Sequence, residues 1–192
     1  MPTIKVTDAT VEPITLAEAK MWTRIDIPDE DTFFEQICIP AARQEAERRM
    51  NRTILTTTWL LQLDAFPDCS CIRVHWPLLQ SVTHVKYIDP TGAQLTLDPA
   101  TYVLDKTSEP GRLCLAPGAS WPATQADRIN AVEVEYKAGW EAAAKVPAVI
   151  KQWVALFAAT LFNNRELLAS AGSVAELKFA DGLLDGHKIW NV

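Results

Sequence analysis

The chain has 192 residues, 48% of them apolar and 22% charged, enough for a buried core without covalent staples. Its net charge of −6 disfavours tight binding to nucleic-acid phosphates, which needs clustered Lys and Arg. Four cysteines, at 38, 69, 71 and 114, are too few for a disulfide framework and suggest a reducing compartment.

The N-terminal stretch "MPTIKVTDATVEP" has no basic run followed by an apolar run, so it does not read as a signal peptide. Thr15-Leu16-Ala17-Glu18 is a capping box, in which hydroxyl and carboxylate each satisfy an orphan amide of the helix start. This predicts a helix to about Arg24. Pro28 then breaks the chain, because it pushes Ile27 out of helical geometry. Asp29, Glu30 and Asp31 open a second helix, where carboxylates suit the positive dipole end. Phe33, Phe34, Ile37, Cys38, Ala41, Ala42 and Ala46 give it an apolar face. Arg43, Arg48, Arg49 and Arg52 crowd its far end. Pro40 should remove one backbone hydrogen bond and kink this helix near Gln36.

From about Thr56 the hydrophobic period becomes two. "TTTWLLQLDAF", "CIRVHWPL", "SVTHVKYID", "AQLTLD", "TYVLD", "RLCLAPG" and "NAVEVEYKAG" read as short strands. Turn signals separate them, including Asp89-Pro90-Thr91-Gly92 and Glu109-Pro110-Gly111. After Val146 the helical period returns. Pro147 suits a first helical position, and Val149, Ile150, Trp153, Val154, Phe157, Ala158, Leu161 and Phe162 form a stripe broad enough to need cover on more than one side. No stretch is long and apolar enough to suggest a membrane span.

The expected fold is α+β. N-terminal helices (1–54) and a long C-terminal helix (141–168) pack together. A small antiparallel β sandwich or barrel (55–140) is inserted between them, and an extended tail (169–192) follows.

Chemistry is sparse. Cys69 and Cys71 with His75 and His84 are the one cluster resembling metal ligands, but the cysteines are spaced too tightly for a zinc pair and read as sheet residues. The three histidines lack a nucleophile-elbow context, and no phosphate loop or dinucleotide fingerprint occurs. No catalytic residue, metal or cofactor is expected. A β-domain enzyme with a pocket among Cys69, Cys71, His75 and Trp76 is one rival reading. A ligand-binding module using some of the seven tryptophans is another. Trp190 differs from the others, as an aromatic anchor on a glycine-punctuated tail that suits either a partner's groove or a site on its own subunit.

"PITLAEAKMWTRID" followed by "DEDTFFEQICIPAARQEAERRMNRTI" resembles the opening of the head–tail connector (head-completion adaptor) proteins of long-tailed bacteriophages. Thr15, Leu16, Glu18, Lys20, Arg24, Ile25, Asp26, Asp29, Asp31, Ala41, Ala42, Arg43, Ala46 and Glu47 match that pattern. "WPLLQSVTHVKYID", "PGRLCL", "AVEVEYKAGW" and "VPAVIKQWVALFAATLFNNRE" resemble the longer members with an inserted β region, and "ELKFADGLLDGHKIW" their tail. Trp22, Pro40 and Lys178 depart from it.

The resemblance implies a structural virion protein at the head–tail junction, made in the host cytoplasm. It would form a ring, commonly of twelve copies, beneath the portal protein. Such a ring extends the DNA channel without reading sequence and offers a surface to a stopper or tail-completion protein. A stopper or tail-completion role is the nearest alternative. The tail residues Leu177, Phe179, Leu183, Leu184, Ile189 and Trp190 are the expected portal contacts. Acidic Asp29, Glu30 and Asp31 and basic Arg43, Arg48 and Arg49 are possible subunit-interface residues.

Overall fold

The computed structural model describes residues 2–23, 28–163 and 178–190. It is a mixed α+β chain with antiparallel sheets, divided into two compact units. One comprises 1–9 and 56–141; the other comprises 10–55 and 142–192.

Among the described residues, eight strands build the first unit: β1 (Thr3–Thr7), β2 (Thr57–Leu63), β3 (Cys71–Arg73), β4 (Leu79–Ile88), β5 (Gln94–Thr96), β6 (Tyr102–Asp105), β7 (Arg112–Leu115) and β8 (Val132–Ala138). Five form a sheet in the order β1-β2-β8-β4-β5, and three form another in the order β3-β7-β6. All pairs are antiparallel. The larger sheet ends at β1 and β5, which do not pair with each other, so the barrel alternative is corrected to two open sheets.

β2 and β8 alternate buried and less buried residues along their length, the pattern of a sheet with one face in a core. Trp59, Leu61, Val85, Val134 and Tyr136 of the larger sheet share that core with Ile72 and Leu113 of the smaller. The strand expected over "CIRVHWPL" is short, because Trp76-Pro77 and the left-handed backbone of Leu78 (φ 62°) follow it closely. Strand β1 lies outside the segments read from the hydrophobic period. At the Asp89–Ala93 hairpin tip, the Asp89 carboxylate accepts the Thr91 and Ala93 amides, each at 2.9 Å. Gly111 meets its turn at close quarters: a Cβ there would lie 2.6 Å from the Leu79 Cβ.

The second unit is helical. Helix α1 (Leu16–Thr23) opens with the capping box: the Thr15 amide donates to Glu18 at 2.7 Å, and the Glu18 amide donates to the Thr15 hydroxyl at 3.2 Å. A 3₁₀ turn (Pro28–Glu30) leads into α2 (Asp31–Phe33), a π turn (Phe34–Cys38) and α3 (Ile39–Met50). The disturbance expected from Pro40 near Gln36 takes the form of this π turn. The Ile39 amide donates five residues back, to the Phe34 carbonyl. A widened turn is where a ring without an N–H can follow a helix.

Helix α4 (Ala148–Asn163) buries Ile150, Trp153, Val154, Ala158 and Phe162. It packs against α1, α3 and α5 (Lys178–Asp185). Phe162 meets Phe34 at 4.8 Å between ring centroids. The tail expected to be extended is therefore helical over Lys178–Asp185, because Leu184 is buried in the helical unit. No described helix is long and apolar enough to cross a membrane.

Candidate assembly surfaces

The charged residues of the helical unit separate into buried and outward groups. Arg43 is only 2% exposed. Its Nε donates to Glu12 at 2.9 Å and its Nη1 to Glu47 at 3.2 Å. Glu47 also accepts the Ile54 amide at 2.9 Å, so the network ties the chain leaving α3 to the chain entering α1. Of the six possible interface residues, Arg43 is thus engaged inside its own unit. Its i, i+4 spacing from Glu47 is visible in the sequence. Glu12, 31 residues away, is not.

Arg48 and Arg49 share one carboxylate. Arg48 donates to Glu45 through Nε at 2.8 Å and Nη2 at 2.6 Å, and Arg49 Nε donates to it at 2.8 Å. The hydrogen bond from Arg48, with that from Arg49, holds the Glu45 carboxyl down to about 2. The Arg49 guanidinium also lies over the Trp153 ring, 5.3 Å from its centroid. Arg48 is exposed. At the other end, Asp29 is exposed in the 3₁₀ turn, Glu30 is half-buried, and Asp31 pairs with Lys20 of α1.

The end of α3 also holds the tail. Asn51 turns left-handed (φ 50°) and stops the helix. The Ile189 amide donates to the Met50 carbonyl at 2.9 Å, and Arg52 Nε donates to the His187 carbonyl at 2.9 Å. The Asn51 amide group reaches the Ile189 carbonyl at 3.3 Å. Arg48, Arg49, Asn51, Leu184, Asp185 and Lys188 line a cleft of about 380 Å³ between these segments.

The six tail residues meet different fates. Leu184 is buried, Leu183 and Ile189 are half-buried, and Trp190 is 66% exposed. Lys188 Nζ stands 4.4 Å from the Trp190 ring centroid. Phe179 lies on α5, and Leu177 lies outside the described residues, as do Arg24, Ile25 and Asp26.

The β unit carries a feature that the cysteine count did not suggest. Cys71 of β3 and Cys114 of β7 stand opposite each other and are joined by a disulfide. The pairing of strands far apart in sequence places them together, which spacing alone does not reveal. Cys71 therefore is not a thiolate ligand in this state. No three His, Cys, Asp or Glu side chains gather as a metal site among the described residues.

No family model matches the chain, and no curated protein matches it. Solved structures do. A chain in the virion of a native gene transfer agent particle aligns at TM-score 0.79 and 20% identity, over 100% of this chain and 97% of that one. A chain in the neck of an empty gene transfer agent particle, computed with C6 symmetry, aligns at TM-score 0.81 and 21% identity, with the same coverage. A chain in the neck of the native particle, computed with C12 symmetry, aligns at TM-score 0.76 and 20% identity. The chain shares its fold, along its whole length, with chains of gene transfer agent particles.

Proposed function

We propose that this chain is a structural protein of a tailed virion or gene transfer particle: a head–tail connector that forms a ring beneath the portal. The ring would extend the DNA channel and present the surface to which a stopper or tail component attaches. The observation that carries this reading is the whole-length likeness to neck chains, at TM-scores of 0.76 and 0.81. The order of sequence segments matching the connector pattern supports it independently. The role is geometric and involves no catalysis.

In this reading copies meet head to tail, as in any closed ring built from unlike faces. The acidic turn around Asp29 of one copy faces the basic end of α3, with Arg48 and Arg49, on the next. Arg43 supports that end from within. The division into an inserted β domain and a helical part that carries the tail gives the ring a body and a docking element. The tail would meet the portal through exposed Trp190, with half-buried Ile189 and Leu183 beside it.

The test is electron microscopy of lysates from particles lacking the gene. Heads and tails accumulating separately are expected. Complete tailed particles in normal numbers would overturn the proposal. If tails instead stay absent while a ring of this protein sits on heads of the stopper-less mutant, the adaptor role is separated from the stopper role.

A further inference from the structure

The three-stranded sheet uses its two faces differently. Ile72 and Leu113 stand opposite each other, both buried in the core. One residue along, Cys71 and Cys114 are opposed on the other face, each only half-buried. Val103 of β6 continues that row beyond Cys114 and is 57% exposed. The disulfide thus stands on the solvent side of the sheet, not in the core.

A third cysteine lies two residues before Cys71. Cys69 is exposed and carries a free thiol. The chain bends through Cys69 and Ser70 just before β3 begins at Cys71. The approach segment is fixed on both sides. The Trp121 indole donates to the Cys69 carbonyl at 3.0 Å, and the Leu115 amide donates to the Ser70 carbonyl at 2.8 Å. The Cys69 thiol folds back to donate to the Cys71 carbonyl at 3.1 Å. The Ser70 hydroxyl lies 3.8 Å from the Cys71 sulfur.

We propose that Cys69, Cys71 and Cys114 form a thiol–disulfide exchange site, at which Cys71 alternates between Cys114 and Cys69. Through it, small thiols and disulfides of the glutathione class reach the β3–β7 staple. In the internal step the Cys69 thiolate attacks the Cys71 sulfur. The Cys69–Cys71 bond forms as the Cys71–Cys114 bond breaks. Cys114 leaves as a thiolate and takes a proton from water, replacing the one Cys69 released. No oxidant is consumed. With external glutathione, one thiolate opens the staple as a mixed disulfide. A second releases oxidised glutathione and leaves two protein thiols.

Cys38, 1% exposed in the helical unit, is the internal control. The full-length protein, oxidised in air, is held at mildly alkaline pH without added thiol. It is then alkylated with iodoacetamide in the folded state, and its disulfide-linked peptides are mapped by mass spectrometry. Alkylation is expected at Cys69 in one fraction and at Cys114 in another, with a Cys69–Cys71 peptide present and Cys38 unlabelled. Cys69→Ser, a change at an exposed site, should lower Cys114 labelling by about tenfold or more. Cys114 labelling that is absent in the wild type, or equal in the two proteins, overturns the exchange site. So does recovery of all four cysteines as free thiols after oxidation.

Discussion

Arg43 and Glu47, one helical turn apart on α3, face each other at 3.2 Å with both side chains buried. A buried ion pair gains stability only when its remaining groups are satisfied. Here they are, because Glu12 takes the second edge of the guanidinium and Ile54 donates to Glu47. Removing one partner strands a charge. Arg43→Met should lower stability by about 3–5 kcal/mol, read as a fall in the urea midpoint. Arg43→Met with Glu47→Leu should cost less than the two single changes added together, because the buried Glu47 charge is no longer stranded and Glu12 is partly exposed to water. Additive losses would refute the coupling.

Glu45 gives the helical unit an acid-sensitive limb. Its folded carboxyl is held down to about 2 from an ordinary 4.5. A depressed folded value contributes stability that is present above the unfolded value and lost as pH falls through the folded one. The loss therefore runs from about pH 4.5 down to about 2. Solvent screening limits it to about 1 kcal/mol. Chemical denaturation across that window should show Glu45→Gln with a flatter pH dependence than the wild type. Parallel curves would remove Glu45 from the account.

Pro40 sits two residues past the π turn that ends at Cys38. The bond that closes the turn, from the Ile39 amide to the Phe34 carbonyl, needs nothing from residue 40. Proline in an ordinary helix interior costs about 3 kcal/mol relative to alanine. At this position the penalty is already absorbed, so Pro40→Ala should change stability by less than about 1 kcal/mol. A thermal melt that gains the full interior-helix difference would show that the turn relieves nothing.

What could be read from the sequence was local. The Thr15–Glu18 box closes over three residues, and its two bonds are those that the residue types require. Strands β2 and β8 were legible because one buried face imposes strict alternation. The rest depended on partners distant in the chain. Glu12 reaches Arg43 across 31 residues, and Cys71 reaches Cys114 across 43. Neither pairing leaves a local pattern. The tail misled for a related reason: its scattered apolar residues look unpartnered until Leu184 is seen buried in the helical unit.

Trp190 separates docking from folding. Deleting the tail would also remove buried Leu184 and damage the unit itself. Trp190→Ala instead removes a side chain that is mostly in solvent. Its melting temperature should match the wild type, while assembly of complete particles falls sharply if the tail meets the portal. Normal particle yield with this variant would place the contact elsewhere.

The β3–β7 disulfide should stabilise the β unit by restricting the unfolded chain. It bridges a sequence separation of 43. Loop-closure entropy for that length gives about 4 kcal/mol, and measured bridges commonly deliver about 2–4. Cys71→Ser with Cys114→Ser should therefore shift the denaturation midpoint of the β unit downward by that amount. The same shift should appear on adding dithiothreitol to the wild type, and dithiothreitol should then do nothing to the double variant. Cys38 and Cys69 provide the contrast, since neither closes a loop in this state. Reduction that leaves the midpoint unchanged would mean that the β3–β7 pairing, with Ile72 and Leu113 in the core, holds the sheet without its staple.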